Sequence, residues 1–167
     1  MGVRARLAPV RTMLFLIFQL DDDRYALDAA EVVEILPLVP LKALPGAPPW
    51  VAGVFNYHGQ PVPVIDLPAL ALGRPARRRL STRTVLLRYP LASAQDGTCV
   101  LAIIVEQATR TMRRDSADFT DSGVATPHAR YLGLVAADPA GLIQWINVQD
   151  LLPDGVKGLL FSSEAHA

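Results

Sequence analysis

Short apolar runs separated by turn residues recur along the whole chain. Eight of these runs are rich in valine, isoleucine, leucine or aromatic residues and cover residues 13–20, 24–27, 51–56, 61–66, 83–90, 98–106, 131–137 and 142–146. Residues of these types favour β-strands, and short strands separated by polar turns are typical of sandwiches and small barrels. The pattern therefore predicts a mainly β protein.

Three segments between the predicted strands carry helix signals instead. They lie at residues 27–37, 66–72 and 147–153, and each has a capping residue near its start, namely Asp28, Asp66 or Asn147. In the first segment Glu31 follows Asp28 by three residues, an aspartate variant of the capping box, and Pro37 ends the predicted helix. Helices of one or two turns are too short to connect parallel neighbours, so we expect mainly antiparallel sheets.

Composition bounds the size of the domain and the class of its partners. A chain of 167 residues with 51% hydrophobic residues can bury a core of its own. We expect one domain over residues 13–153, a disordered N-terminal extension at 1–12 and a loosely ordered C-terminal tail at 154–167. The 16 basic and 16 acidic residues give no net charge, so no overall field attracts nucleic acid or an anionic membrane. Partners are then recognised by local shape.

The residue types that carry catalysis or bind metals lack the spacing that such sites need. The three histidines, His58, His128 and His166, form no paired metal-ligand motif. The sequence contains neither a Gly-x-Ser-x-Gly elbow nor a phosphate-binding glycine loop. The only cysteine, Cys99, lies in an apolar run where a thiol is normally inert. We therefore expect no enzymatic activity, no cofactor and no metal.

Two other functional classes stay open as alternatives. Arginines are concentrated between Arg74 and Arg88, and a small OB-like barrel could bind single-stranded nucleic acid through that region. The absence of interleaved aromatic residues before Tyr89 and the zero net charge favour a solvated loop instead. A small hydrolase using His58 and Asp66 is the other alternative, although Asp66 is placed to cap a helix.

The order of motifs through residues 15–67 resembles the opening half of the CheW-like coupling domain. After an apolar strand come Tyr-Ala-Leu at 25–27, Val-x-Glu-Ile at 32–35, Pro-Gly-x-Pro at 45–48, and a segment from Gly53 through Asn56 and Gly59 to Asp66-Leu67. Residues 99–112 and 131–152 are similar to the later half, so the resemblance covers about residues 13–153. It implies a mainly β fold of two packed, small five-stranded barrels of the SH3-like, CheW-like type, with short helices.

The resemblance also implies a function. Members of this family are non-enzymatic adaptors that couple the cytoplasmic tip of a methyl-accepting chemoreceptor to the regulatory domain of a CheA-type histidine kinase. The implied location is the cytoplasm, in association with membrane receptor arrays, with no nucleic acid bound and no direct membrane insertion. The implied receptor-binding residues are Val32, Glu34, Ile35, Asn56, His58 and Gly59. The implied kinase-binding residues, on the first barrel, are Leu44, Pro45, Gly46, Pro48 and Gly53.

His58 departs from the family pattern, which usually has arginine at this position. An arginine would be permanently charged and could bind a carboxylate such as Glu34 with two donors, whereas histidine is shorter and mostly neutral at pH 7. The family positions imply that Glu34 and His58 are neighbours. We therefore interpret His58 as a recognition residue whose pairing with Glu34 strengthens when the imidazole is protonated.

Overall fold

The computed structural model describes residues 10–124 and 127–161. These residues form ten strands: β1 (Thr12–Leu20), β2 (Asp23–Asp28), β3 (Val32–Leu36), β4 (Val51–Tyr57), β5 (Gln60–Asp66), β6 (Arg83–Pro90), β7 (Thr98–Val105), β8 (Arg110–Asp115), β9 (Leu132–Asp138) and β10 (Gly141–Ile146). The helices are α1 (Leu67–Leu72) and α2 (Asp154–Phe161), with short 3-10 helices at Ala29–Glu31, Ser116–Asp118 and Val148–Asp150. All eight predicted strands are confirmed.

The strands form two five-stranded sheets that are interleaved along the chain. The terminal sheet has the order β8-β1-β2-β10-β9 and the middle sheet has the order β3-β6-β7-β5-β4. Pairing is mainly antiparallel, as predicted, with one parallel pair in each sheet, β2 with β10 and β5 with β7. The candidate receptor-binding and kinase-binding residues therefore lie in the middle sheet and its adjoining loops. None of them lies in the terminal sheet, which contains β1.

Each sheet curls so that its two edge strands meet. In the middle sheet the hydroxyl of Tyr57, at the end of β4, donates a hydrogen bond to Glu34 on β3. In the terminal sheet the Arg114 guanidinium on β8 donates to the Ala137 carbonyl on β9 at 2.8 Å. A flat sheet of five strands would hold its edges about 19 Å apart, since neighbouring strands lie about 4.8 Å apart. Both sheets are therefore rolled in the manner of small barrels.

One apolar cluster fills the inside of each rolled sheet, and a third fills the space between the two sheets. Alternate residues of β1 divide between two clusters: Phe15 and Ile17 lie inside the terminal sheet, while Leu16 and Phe18 face the middle sheet. The strand β7 divides in the same way, with Ala102 inside the middle sheet. Strands buried on both faces read as continuous apolar runs. This explains why the sequence shows unbroken hydrophobic stretches where a half-buried strand would alternate.

The first predicted helix is wrong beyond its opening turn. Asp28 does act as a cap and accepts a hydrogen bond from the Ala30 N–H at 2.9 Å, but the 3-10 helix ends at Glu31. The chain then extends into β3, which pairs with β6. Two adjacent valines and an isoleucine follow the cap, and β-branched residues favour a strand over a helix. The predicted receptor-binding residues Val32, Glu34 and Ile35 consequently lie on a strand.

The second predicted helix is confirmed as α1, whereas the third is reduced to the 3-10 helix Val148–Asp150, where Asn147 makes no side-chain capping hydrogen bond. Asp66 caps α1 through the Ala69 N–H at 3.0 Å, and Gly73 ends it with a positive φ of 71°.

Residues 154–161 form α2, although the sequence predicts a loosely ordered tail over 154–167. Residues 1–9 of the predicted extension and 162–167 of the predicted tail lie outside the described residues. Within the described ranges, no helix is both long and apolar enough to cross a membrane.

Candidate functional site

The hairpin between β4 and β5 presents the Asn-Tyr-His-Gly segment at its tip. His58 and Gly59 form the two-residue turn, with φ of 50° and 82°. Positive φ at both positions matches a type I′ turn, whose twist suits a tight hairpin. The Asn56 side chain accepts a hydrogen bond from the Gly59 N–H at 2.8 Å and fixes the turn. Asn56, His58 and Gly59 are exposed, so the turn projects His58 into solvent.

Glu34 is bound by Tyr57 and not by His58. The Tyr57 hydroxyl donates to the Glu34 carboxylate, and among the described residues no ion pair joins Glu34 to His58. The His58 ring contacts the Tyr57 ring edge-on, with centroids 4.3 Å apart. The expected His58–Glu34 pair is therefore wrong, and Tyr57 lies between the two residues. The sequence analysis missed Tyr57, whose only signal was its position immediately before the turn.

The outer side of β3 adds apolar surface beside this turn. Val33 and Ile35 are 41% and 43% exposed. Val32 is partly buried and packs against the cluster between the sheets. The structure thus brings Glu34, Ile35 and the hairpin turn to one end of the middle sheet, and turns Val32 away from it.

We predict that replacing Glu34 with alanine lowers the pKa of the Tyr57 phenol towards that of an ordinary tyrosine. The hydrogen bond to the Glu34 carboxylate is the main cause that raises the pKa of Tyr57, because losing the proton would place two negative charges together. A pH titration followed by NMR of ring-labelled tyrosine measures this, with Tyr57→Phe identifying the signal. An unchanged titration in Glu34→Ala would show that the two side chains are not paired in solution.

The second candidate surface is the loop before β4. Leu44 and Pro45 open a turn that closes with a hydrogen bond from the Ala47 N–H to the Leu44 carbonyl at 3.2 Å, and Gly46 has a φ of 83°. Pro45 and Gly46 are exposed, whereas Leu44 and Pro48 are partly buried. This loop borders an apolar cavity of about 350 Å³. Its remaining walls are Ala47, Val54, Pro61, Pro63, Leu159 and Leu160.

Gly53 has a role inside the protein. It is buried, with a φ of 147°, and a Cβ atom there would lie 2.5 Å from the Lys42 carbonyl oxygen. Lys42 and Val54 exchange backbone hydrogen bonds of 2.8 and 2.9 Å beside it. The backbone that approaches Gly53 closely is this chain's own segment at Leu41–Lys42. A charged substitution at Gly53 would disturb this segment before it tested any partner.

We predict that Gly53→Ala lowers the free energy of unfolding by about 1–3 kcal/mol, because alanine at this φ is strained and its Cβ clashes with a backbone oxygen. Urea denaturation measures the change. Gly46→Ala is the matched control, since a Cβ there meets nothing within 4 Å although its φ is also positive. Equal losses in the two variants would mean that backbone strain, and not the contact with Lys42, decides the effect.

The sequence model of the family described as the CheW-like domain matches residues 14–155. The chain belongs to the CheW-like domain family. The chemotaxis protein CheW of Treponema pallidum (strain Nichols) is 36% identical over 50 residues, a match that covers 30% of this chain and 29% of that relative's length.

A solved structure has the same fold as this CheW-like domain. The scaffolding protein TtCheW from Thermoanaerobacter tengcongensis superposes with a TM-score of 0.71 over 89% of this chain and 92% of that one, at 19% sequence identity. The expected fold of two five-stranded β units with short helices is thereby confirmed.

The arginine-rich stretch of this CheW-like domain is not one open basic surface. Arg74 binds the buried Glu106 carboxylate with two hydrogen bonds of 3.0 and 2.8 Å. Arg83 and Arg88 donate to the backbone carbonyls of Leu80 and Ala30. Arg74, Arg83 and Arg88 are thus engaged in part by this protein's own groups, whereas Arg77, Arg78 and Arg79 are exposed, so the accessible basic groups are concentrated in that short segment.

The residues of the hydrolase alternative lie at opposite ends of a strand. His58 precedes β5 and Asp66 ends it, which separates them by roughly 20 Å at about 3.3 Å per residue. Both carboxylate oxygens of Asp66 accept backbone N–H groups at 3.0 Å, from Ala69 and from Ala76. Asp66 therefore ties α1 and the following loop to the sheet. Among the described residues no cluster of three or more histidine, cysteine, aspartate or glutamate side chains is arranged to hold a metal ion.

Cys99 does not supply a reactive thiolate. The side chain is partly buried in β7, and burial raises the pKa of the thiol to about 11, with Asp96 adding to the shift. A thiol with a raised pKa carries little thiolate at neutral pH.

Proposed function

We propose that this CheW-like domain is a non-enzymatic adaptor that couples a methyl-accepting chemoreceptor to a CheA-type histidine kinase. The observation that carries the proposal is the family match over residues 14–155, which spans both sheets. The proposed partners are the cytoplasmic receptor tip and the kinase regulatory domain. The proposed place of action is the cytoplasm, at the receptor array.

Two separate surfaces on the middle sheet support a bridging role. The proposed receptor surface consists of Glu34, Ile35, Asn56, His58 and Gly59, to which we add Tyr57. The proposed kinase surface consists of Leu44, Pro45, Gly46 and Pro48. The turn lies at the tip of the β4–β5 hairpin and the loop precedes β4, so the two proposed surfaces share no residue. Val32 is partly buried and Gly53 is buried, so we assign them to the support of these surfaces and not to direct contact with a partner.

Tyr57 fulfils part of the role that the family assigns to an arginine at the position of His58. It binds the Glu34 carboxylate with a neutral donor, and the pKa of Tyr57 is raised above its ordinary value. The Tyr57 phenol stays neutral between pH 6 and 8 because its pKa is raised above that of an ordinary tyrosine, whereas a histidine donor changes its charge in this range. We therefore expect receptor binding to vary little with pH through the Glu34 contact.

Two charge-introducing variants test the two surfaces separately. Ile35→Asp places a carboxylate on the proposed receptor surface, and Pro45→Glu places one on the proposed kinase surface. Both sites are exposed, so the fold should tolerate them. Leu80→Asp is the matched control, because Leu80 is 93% exposed and lies outside both surfaces. The measurement is the affinity of each variant for a receptor-tip fragment and for a kinase regulatory domain from the same genome.

We expect Ile35→Asp to weaken receptor binding by about tenfold or more with kinase binding unchanged, and Pro45→Glu to do the reverse, since a charge in an interface core costs on the order of 1–3 kcal/mol. Leu80→Asp should leave both affinities at the wild-type value. Loss of both affinities in either variant would mean that the two surfaces are not independent. Wild-type protein that binds neither partner would refute the proposal.

A further inference from the structure

The C-terminal helix α2 lies mostly beyond the part of the chain that matches the family. The family match ends at residue 155, while α2 runs from Asp154 to Phe161. The helix is nevertheless packed on the protein. Val156, Leu160 and Phe161 contact the apolar cluster between the two sheets, and the Phe161 ring stacks on Tyr89 with centroids 5.9 Å apart. The helix is thus a docked addition to the two-sheet fold.

The side chains of α2 also cover one end of an apolar groove. Leu159 and Leu160 face the loop residues Leu44 and Pro45 and the β4–β5 hairpin across the cavity of about 350 Å³. This cavity is a cleft open to solvent on one side, with α2 forming one of its walls. Side chains of α2 that face the open cleft make fewer contacts than close packing would give them.

The sequence of α2 makes the helix dependent on this incomplete docking. It has eight residues, two of them glycine, and none of its side chains is fully buried. Glycine is a poor helix former, and a helix of this length is not stable alone in water. Leu159, one of the two residues that line the cavity, remains 57% exposed. These features favour a helix that undocks readily.

The groove continues beyond α2 along the hairpin. Val54 and Pro61 line both the cavity under α2 and a second cavity of about 420 Å³. The second cavity reaches Asn56 and Gly59 at the hairpin tip and is otherwise lined by Pro40, Lys42 and Phe55. Release of α2 would therefore open a continuous apolar surface from the Leu44–Pro45 turn towards the hairpin tip.

We propose that α2 is a displaceable cover that competes with the kinase for the groove at Leu44 and Pro45. The inference rests on the proposed function, which assigns these residues to the kinase surface. In the docked state α2 occupies the wall that the kinase would contact, and in the released state the groove is open. The apparent affinity for the kinase is then reduced by the fraction of molecules in which α2 is docked.

Two variants of the full chain shift the docking equilibrium in opposite directions. Gly155→Ala with Gly158→Ala strengthens the helix, and a Cβ at either position meets nothing within 4 Å. Leu160→Glu places a charge in the apolar groove and releases the helix. Hydrogen exchange of the backbone amides of residues 154–161 should slow in the first variant and accelerate in the second. This readout tests the docking equilibrium without any partner.

Kinase binding provides the second readout, with a purified kinase regulatory domain as the probe. We expect kinase affinity to fall by about fivefold in the double alanine variant and to rise by a similar factor in Leu160→Glu. Both changes act on the fraction of molecules in which α2 is released from the groove. Receptor-tip affinity should stay constant in both. Weaker kinase binding in Leu160→Glu would overturn the inference and make α2 part of the interface.

The remaining outcomes separate this inference from the proposed function. Equal kinase affinity in wild type and both variants, with altered hydrogen exchange, would leave the adaptor function standing and refute the competition. If the kinase domain binds none of the three proteins, the proposed function fails and the inference with it.

Discussion

Replacing Phe15 with alanine should lower the free energy of unfolding by about 3–5 kcal/mol, the usual cost of removing a buried aromatic side chain. Phe15 is fully buried inside the terminal sheet. Its ring contacts Phe119 at 5.1 Å and Trp145 at 5.0 Å between centroids, and these two rings contact each other at 5.1 Å. Truncation would remove two of the three contacts in this cluster and leave a cavity. Urea denaturation followed by tryptophan fluorescence measures the loss.

Phe15→Leu is the matched control for this prediction. Leucine keeps an apolar side chain in the same space, so the loss should be smaller, about 1–1.5 kcal/mol. Since Phe15 is remote from both candidate surfaces in the structure, partner affinities measured on the folded Phe15→Leu protein should equal those of wild type. A loss below about 1 kcal/mol in Phe15→Ala would contradict the aromatic cluster as the core of the terminal sheet.

Replacing Glu106 with alanine should lower the free energy of unfolding by about 3 kcal/mol at pH 7. The Glu106 side chain is 6% exposed and accepts hydrogen bonds from the Arg74 guanidinium and from the Arg77 N–H at 2.6 Å. Arg74 also binds Asp21 at 2.7 Å, so this network ties the β1–β2 turn of the terminal sheet to the end of β7 in the middle sheet. Removing the acceptor leaves the Arg77 N–H unpaired and takes from Arg74 its more buried anionic partner. The loss stays at the lower end of the range for buried ion pairs because Arg74 keeps Asp21 and the Pro75 carbonyl as acceptors and its side chain is 24% exposed.

The pH dependence of stability gives this prediction a second readout. The hydrogen bonds from Arg74 are the main cause that lowers the pKa of Glu106 below its ordinary value, and the Arg77 N–H adds to it. A carboxyl group with a lowered pKa in the folded state contributes stability above its unfolded pKa and loses it as the pH falls through the folded pKa. Wild type should therefore lose stability below about pH 4.5, near the pKa of a free glutamate.

Glu106→Gln is the control for this pH effect. It keeps one acceptor for the Arg77 N–H but does not titrate, so it should be less stable than wild type at pH 7 and lose less stability on acidification. Parallel pH profiles of Glu106→Gln and wild type would mean that Glu106 carries none of the acid sensitivity.

The strands were predictable because each buried strand is a local run of apolar residues. Residues of β6 and β7 are apolar on both faces, since one face fills the rolled middle sheet and the other packs between the sheets. The strand β8 was missed because Arg110–Asp115 carries three arginines and lies at the edge of its sheet, where polar residues are tolerated. The helix α2 was missed because its two glycines weaken the helical pattern, and only docking stabilises it.

The parts of the candidate site that were predictable are those in which a single residue has a sequence signal of its own. The turn at His58 and Gly59 has a sequence signal, since Gly59 readily takes the positive φ that a two-residue hairpin turn requires and Asn56 can accept from its N–H. The contact between Tyr57 and Glu34 has none, because it joins the two edge strands of a rolled sheet across 23 positions of sequence. The resemblance singled out Gly53 as a binding residue, but not the backbone at Lys42 that approaches it within the protein.

The most direct test of the adaptor function is a bridging experiment with purified components. A receptor-tip fragment is immobilised, and retention of a CheA-type kinase regulatory domain from the same genome is measured with and without this protein. We expect the kinase domain to be retained in the presence of the wild-type chain, and retention to be lost with either Ile35→Asp or Pro45→Glu but not with Leu80→Asp. Kinase retention that is equal with and without the chain, or a chain that releases one partner when it binds the other, would refute the bridging function.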